Sequence, residues 1–76
     1  METLDDQAYI ALRELQPGDH FTLRDQDRTV LECVEVIHPV ETEPWVRAFE
    51  LEGPANRLTR RMFRAVRISR VDQILR

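Results

Sequence analysis

Turn chemistry divides this chain into short pieces, and that limits its folds more than any other feature. Gln16-Pro17-Gly18-Asp19, Asp25-Gln26-Asp27-Arg28, the stretch from His38-Pro39 to Pro44, and Gly53-Pro54-Ala55-Asn56 recur within 76 residues. Proline presets φ for the second position of a turn, and glycine accepts the positive φ of a type II turn. Between the turns lie apolar segments of strand length. Phe21 to Arg24 alternates apolar and polar, as a half-buried strand should. Residues 29–38, Thr-Val-Leu-Glu-Cys-Val-Glu-Val-Ile-His, could be spaced as a helix through Val30, Cys33, Val34 and Ile37. The β-branched residues and the flanking turns favour a strand. Its alternation falters near Glu32–Val34, which predicts a bulge. Trp45 to Glu52 is the next strand, with Trp45, Phe49 and Leu51 on one side and Val46 and Ala48 on the other.

The two ends read less cleanly. Thr3 and Asp6 resemble a helix cap with an acid in the first turn, and Leu4, Ala8, Ala11 or Leu12, and Leu15 would then form a stripe. The competing reading, favoured here, is a short strand from Tyr9 to Leu12 with a helical turn before it. Residues 1–7 are polar and expected to fray. Around residues 59–64, Met62-Phe63 allows a helical turn. Val66, Ile68 and Val71 are expected to end the sheet. The expected fold is all-β: one small barrel of about five antiparallel strands over residues 8–76.

The motif Leu12-x-x-Leu15-x-Pro17-Gly18-Asp19-x-Phe21-x-Leu23, with the closing Leu58…Val66-x-Ile68-x-x-Val71, resembles small bacterial and phage SH3-like barrels. The resemblance spans residues 9–71 at the level of the fold. It implies a binding module more often than an enzyme, and it transfers no functional residue.

Charge is strongly segregated. Residues 1–52 hold four arginines and thirteen carboxylates, a net of −9, whereas residues 53–76 hold seven arginines and one aspartate, a net of +6. There is no lysine anywhere. Its absence from the acidic part as well fits codon composition, but codon composition does not explain the clustering. Arg57, Arg60, Arg61, Arg64 and Arg67 recur every three or four residues. As a helix, the first four would share a face; as an extended segment they would form a looser stripe. Such a patch suits phosphates. The competing reading pairs these arginines with the chain's own carboxylates.

Tyr9, Phe21, Trp45, Phe49 and Phe63 are the whole aromatic set, and a core this small is expected to need most of them. Trp45, after Pro44 and the acidic loop with Glu41 and Glu43, is the candidate exception. Trp45, Glu41 and Glu43 are therefore the candidate partner-binding residues.

Chemistry beyond binding finds little support. Cys33 is the only cysteine and sits among Leu31, Val34 and Val36, the setting of a buried small hydrophobe. His20 and His38 have no spacing that selects a metal. Asp19 and His20 could pair as acid and base, but Ser69, the only serine, lies among arginines. Two glycines cannot build a phosphate loop. No cofactor or metal is expected, and an enzyme is the distant alternative. The N-terminus is acidic, without the basic and apolar regions of a signal peptide. The expectation is a cytoplasmic, non-catalytic module contacting nucleic acid or a nucleoprotein complex through its C-terminal arginines. The alternative is a protein–protein module, such as a phage-type inhibitor or structural adaptor, binding through the acidic loop or an open sheet edge.

Overall fold

The computed structural model describes residues 6–75, with Asp27 described by its backbone alone. The elements are α1 (Asp6–Glu14), β1 (His20–Leu23), β2 (Gln26–Ile37), β3 (Trp45–Glu52), β4 (Thr59–Arg67), a 3-10 turn (Ile68–Arg70) and β5 (Val71–Leu75). All strand pairs are antiparallel, in the order β4-β3-β2-β1-β5. A small five-stranded antiparallel fold is thus what the turn spacing led us to expect.

Two local expectations are overturned. Tyr9 to Leu12 is helical rather than extended. Ala, Leu, Gln, Glu and Arg are good helix formers, and the stripe Ala8, Ala11 and Leu15 buries against the sheet. The small alanines let the helix approach closely. Asp6 and Gln7 belong to this helix, contrary to the fraying expected of them; residues 1–5, with Thr3 and Leu4, lie outside those described. Residues 59–64 are strand, not a helical turn. Pairing with β3 settles them, because every residue there except Arg61 has a cross-strand partner. The connection expected over residues 25–28 also narrows to Arg24-Asp25, with β2 starting at Gln26.

The Pro17-Gly18 turn forms as its sequence dictates. Gly18 has φ +93°, and the Asp19 amide donates to the Gln16 carbonyl at 3.0 Å. That is a type II turn. The Asp19 carboxylate also accepts from the Gln16 amide at 3.0 Å, clamping the corner. Gly18 N and Cys33 N then donate to Cys33 O and Asp19 O, each at 2.8 Å, so the corner already belongs to the ladder with β2.

Sheet curvature follows from three residues of chain. The Ile68 amide donates to Pro44 O at 2.9 Å, and the Arg24 amide donates to Arg70 O at 3.0 Å. Pro44 adjoins Trp45, which pairs with Ile37, whereas Arg24 adjoins Leu23, which pairs with Gln26. The 3-10 turn therefore joins opposite ends of β2. A straight strand of twelve residues would separate those ends by roughly 35–40 Å, while three residues reach only about 10 Å. The sheet must curl. A register shift between Cys33 and Glu35 supplies the expected bulge on β2. No ladder joins β4 to β5 among the described residues, so these strands are the two edges.

The concave side holds the core: Ala11, Leu15, Phe21, Leu23, Leu31, Cys33, Val46, Ala48, Val66, Ile68 and Val71. Phe21 is its only aromatic residue. Trp45, Phe49 and Phe63 lie elsewhere, contrary to the expectation that a small core needs most of its aromatics.

Candidate interaction face

Register assigns the convex face residue by residue. Ile37, Trp45 and Arg67 form one cross-strand row, and Glu35, Arg47 and Ala65 form the next. A third row crosses all five strands: Leu75, His20, Glu32, Phe49 and Phe63. Because side chains alternate across a strand, the burial of Val46, Ala48 and Val66 forces Trp45, Arg47, Phe49, Phe63, Ala65 and Arg67 outward.

These outward side chains interlock. The Arg60 Nε–H donates to Glu32 Oε1 at 2.7 Å, and its guanidinium lies 5.0 Å from the centre of the Phe49 ring. Arg47 donates to Glu35 at 2.9 Å and covers Phe63 at 5.2 Å. Arg67 lies over Trp45 at 5.6 Å and approaches Glu43 to 3.8 Å. Phe49 and Phe63 meet edge to face, centroids 5.2 Å apart. A guanidinium gains from an aromatic face as well as from a carboxylate, and here each of three arginines has both. His20 Nε2 stands 3.9 Å from the second Glu32 oxygen. Three cations face three carboxylates, so these pairs leave the surface close to electrically neutral.

The arginines expected to act as one patch are separated by strand alternation together with the bulge at Arg61. Arg60 and Arg67 point to the convex side. Arg64 follows Val66 to the concave side, donating to Glu50 at 3.2 Å and to Gln26 at 3.4 Å. Arg61 is the extra residue where the β3–β4 register shifts, 3.9 Å from Glu52. Arg57 is exposed in the loop after β3, its amide donating to Pro54 O at 2.8 Å. Arg70, at the end of the 3-10 turn, makes a two-pronged contact with Asp25 at 2.9 and 3.1 Å. That contact holds the exposed Asp25 carboxyl below the usual carboxylate range.

Among the expected partner-binding residues, Trp45 is half-buried under Arg67, and Glu41 is exposed. Glu43 also accepts from the Ser69 amide at 3.2 Å, which ties the β2–β3 loop to the 3-10 turn. Sequence reasoning missed Arg47, Glu32, Glu35, Phe49 and Phe63 as a joint surface. The available signal was Trp45-x-Arg47-x-Phe49 alternating with the smaller Val46 and Ala48, with the small residues facing the core.

Cys33 is buried, and its thiol is pushed up to about 11 by burial first and then by Asp19 and Glu35. A thiol so protonated is a poor nucleophile at neutral pH. Among the described residues no group of three or more His, Cys, Asp or Glu side chains is placed to hold a metal ion. No helix among them is long and apolar enough to cross a membrane. Comparison with protein-family models, curated proteins and solved structures finds no match for this chain.

Proposed function

We propose that this protein is a non-catalytic interaction module that binds a protein partner through the convex face of β2, β3 and β4. The observation that carries this reading is the pairing of Arg47, Arg60 and Arg67 with both carboxylates and aromatic rings. Paired arginines attract phosphate weakly, because a nucleic acid must first displace an internal carboxylate. A surface of Trp, Phe and Arg with little net charge has the composition of protein–protein interfaces, and Trp and Arg are the side chains that most often dominate binding energy there. The resemblance to SH3-like barrels implies a binding module more often than an enzyme.

Nucleic-acid binding through Arg57, Arg60, Arg61, Arg64 and Arg67 is the second reading, favoured by the exposed Arg57 and the loose Arg61–Glu52 contact. The two separate experimentally. Partner capture from the native host should be lost with Trp45→Ala and with Arg47→Ala, and retained with Arg13→Ala on the helix. Capture that ignores Trp45 and Arg47 would overturn the convex-face reading.

A further inference from the structure

The two sheet edges match each other. On the convex side, the row Leu75–His20–Glu32–Phe49–Phe63 crosses the whole sheet. On the concave side, Ile74–Phe21–Leu31–Glu50–Met62 does the same. Both rows begin and end on large apolar residues, and both ends lie on edge strands. Leu75 is 41% exposed, Phe63 45% and Met62 51%; Ile74 packs only partly against the core. Strand edges with open backbone groups invite pairing, and apolar side chains facing each other across a new pair would stabilise it.

We infer that a second copy of this chain adds its β5 edge to the β4 edge, continuing the sheet in the register that keeps both rows unbroken. Leu75 of one copy then lies beside Phe63 of the next, and Ile74 beside Met62. β4 and β5 run in the same sense, because four antiparallel steps separate them. The register therefore holds both contacts at once.

Charge selects this pairing over its rivals. β4 carries Arg60, Arg61, Arg64 and Arg67 and no acid, whereas β5 carries Asp72 and no cation. A two-fold β4–β4 contact would bring the four arginines of each strand together with no acid between them, and juxtaposed like charges disfavour a pairing. A β5–β5 contact would offer only five residues a side, with Gln73 opposite itself and no cation for either Asp72. The β4–β5 contact is head to tail, so it propagates to a closed ring or an open filament rather than stopping at a dimer.

Sedimentation across a concentration series tests this. The native chain should show a mass at least double the 9.0 kDa of one copy. Phe63→Asp and Leu75→Asp should each be monomeric with unchanged circular dichroism. Mixed together they should form a one-to-one dimer, since each retains one intact edge. A native chain that stays monomeric, or a mixture that does not dimerise, overturns the inference. As a check independent of folding losses, Phe63→Cys and Leu75→Cys chains mixed and oxidised should cross-link to each other more than either does to itself. Equal or absent cross-linking counts against the pairing. A monomeric result leaves the convex-face reading standing, because that reading needs no second copy.

Discussion

Ala48 and Phe49 are neighbours on β3 with opposite surroundings. Ala48 is fully buried on the concave side, while Phe49 lies on the convex side beneath Arg60 and against the edge of Phe63. The same contrast runs along the curled sheet. Its inside is aliphatic and close to the helix; its outside is aromatic, cationic and ion-paired. Curvature explains the division. A tightly curled sheet closed by a helix at Ala8 and Ala11 has room inside for Leu, Val, Ile and one Phe. The larger rings fit where the sheet is convex. The inside should therefore govern stability, and the outside should govern what the protein binds.

Truncating an inward residue is expected to give the largest effect. Leu31 is fully buried, and Leu31→Ala should cost about 2–5 kcal/mol in denaturant melts. For a domain of this size that is most of its stability. Phe49→Ala on the outside should cost about 1–2 kcal/mol, from lost ring contact and partial burial. If the outer substitution proved the costlier, the division between the faces would fail.

Gly53 sharpens the comparison at the end of β3, away from either face. Its φ is +110°, and a Cβ there would lie 2.8 Å from the Arg57 carbonyl oxygen. Gly53→Ala should therefore destabilise by roughly 1–3 kcal/mol, measured as a fall in the denaturation midpoint. An unchanged midpoint would mean that the hairpin does not hold this shape.

Cys33 reports on the inside by pH. Its thiol stays protonated in the folded chain up to about 11, against an ordinary value of 9.0. Folding is favoured while both states keep the proton, and that contribution is lost as pH rises from the lower value through the higher. Stability should fall over that window, and Cys33→Ala should flatten the fall. Alkylation of the native thiol at pH 8 should be slow and should become fast on unfolding.

The smallest expected effect comes from the exposed ion pairs. Arg60→Ala with Glu32→Gln in a double-mutant cycle should show a coupling of about 0.2–1 kcal/mol, shrinking in salt. A coupling of several kcal/mol would make the outer face a stabilising structure rather than a surface held ready for a partner.

The sequence revealed the strands where turns bounded them and where alternation was clean. Pro17-Gly18, Pro44 and Gly53-Pro54 marked the corners, and Trp45–Glu52 came out at its full length. The bulge near Cys33 showed as a break in alternation. The helix was read as a strand because Tyr9 and Ile10 look like sheet residues; in the fold they face outward, and the small Ala8 and Ala11 face the core. The arginine spacing also misled. Three-to-four spacing suggests one helical face, but in β4 the bulge at Arg61 reverses the alternation, sending Arg64 inward to Glu50 and Arg60 outward to Glu32. The partners of those arginines lie up to 38 residues away in sequence, so only the assembled sheet brings them together. Charge segregation along the chain thus becomes charge pairing across it.

Binding of a labelled mixed-sequence single-stranded oligonucleotide, followed by fluorescence anisotropy at low salt, tests most directly whether that pairing silences the arginines. With Arg60, Arg61, Arg64 and Arg67 each held near its own carboxylate, the native chain should leave the anisotropy unchanged. A rise at low salt that disappears near physiological salt, and that is abolished by reversing Arg60, Arg61 and Arg64 to Glu, would contradict the account.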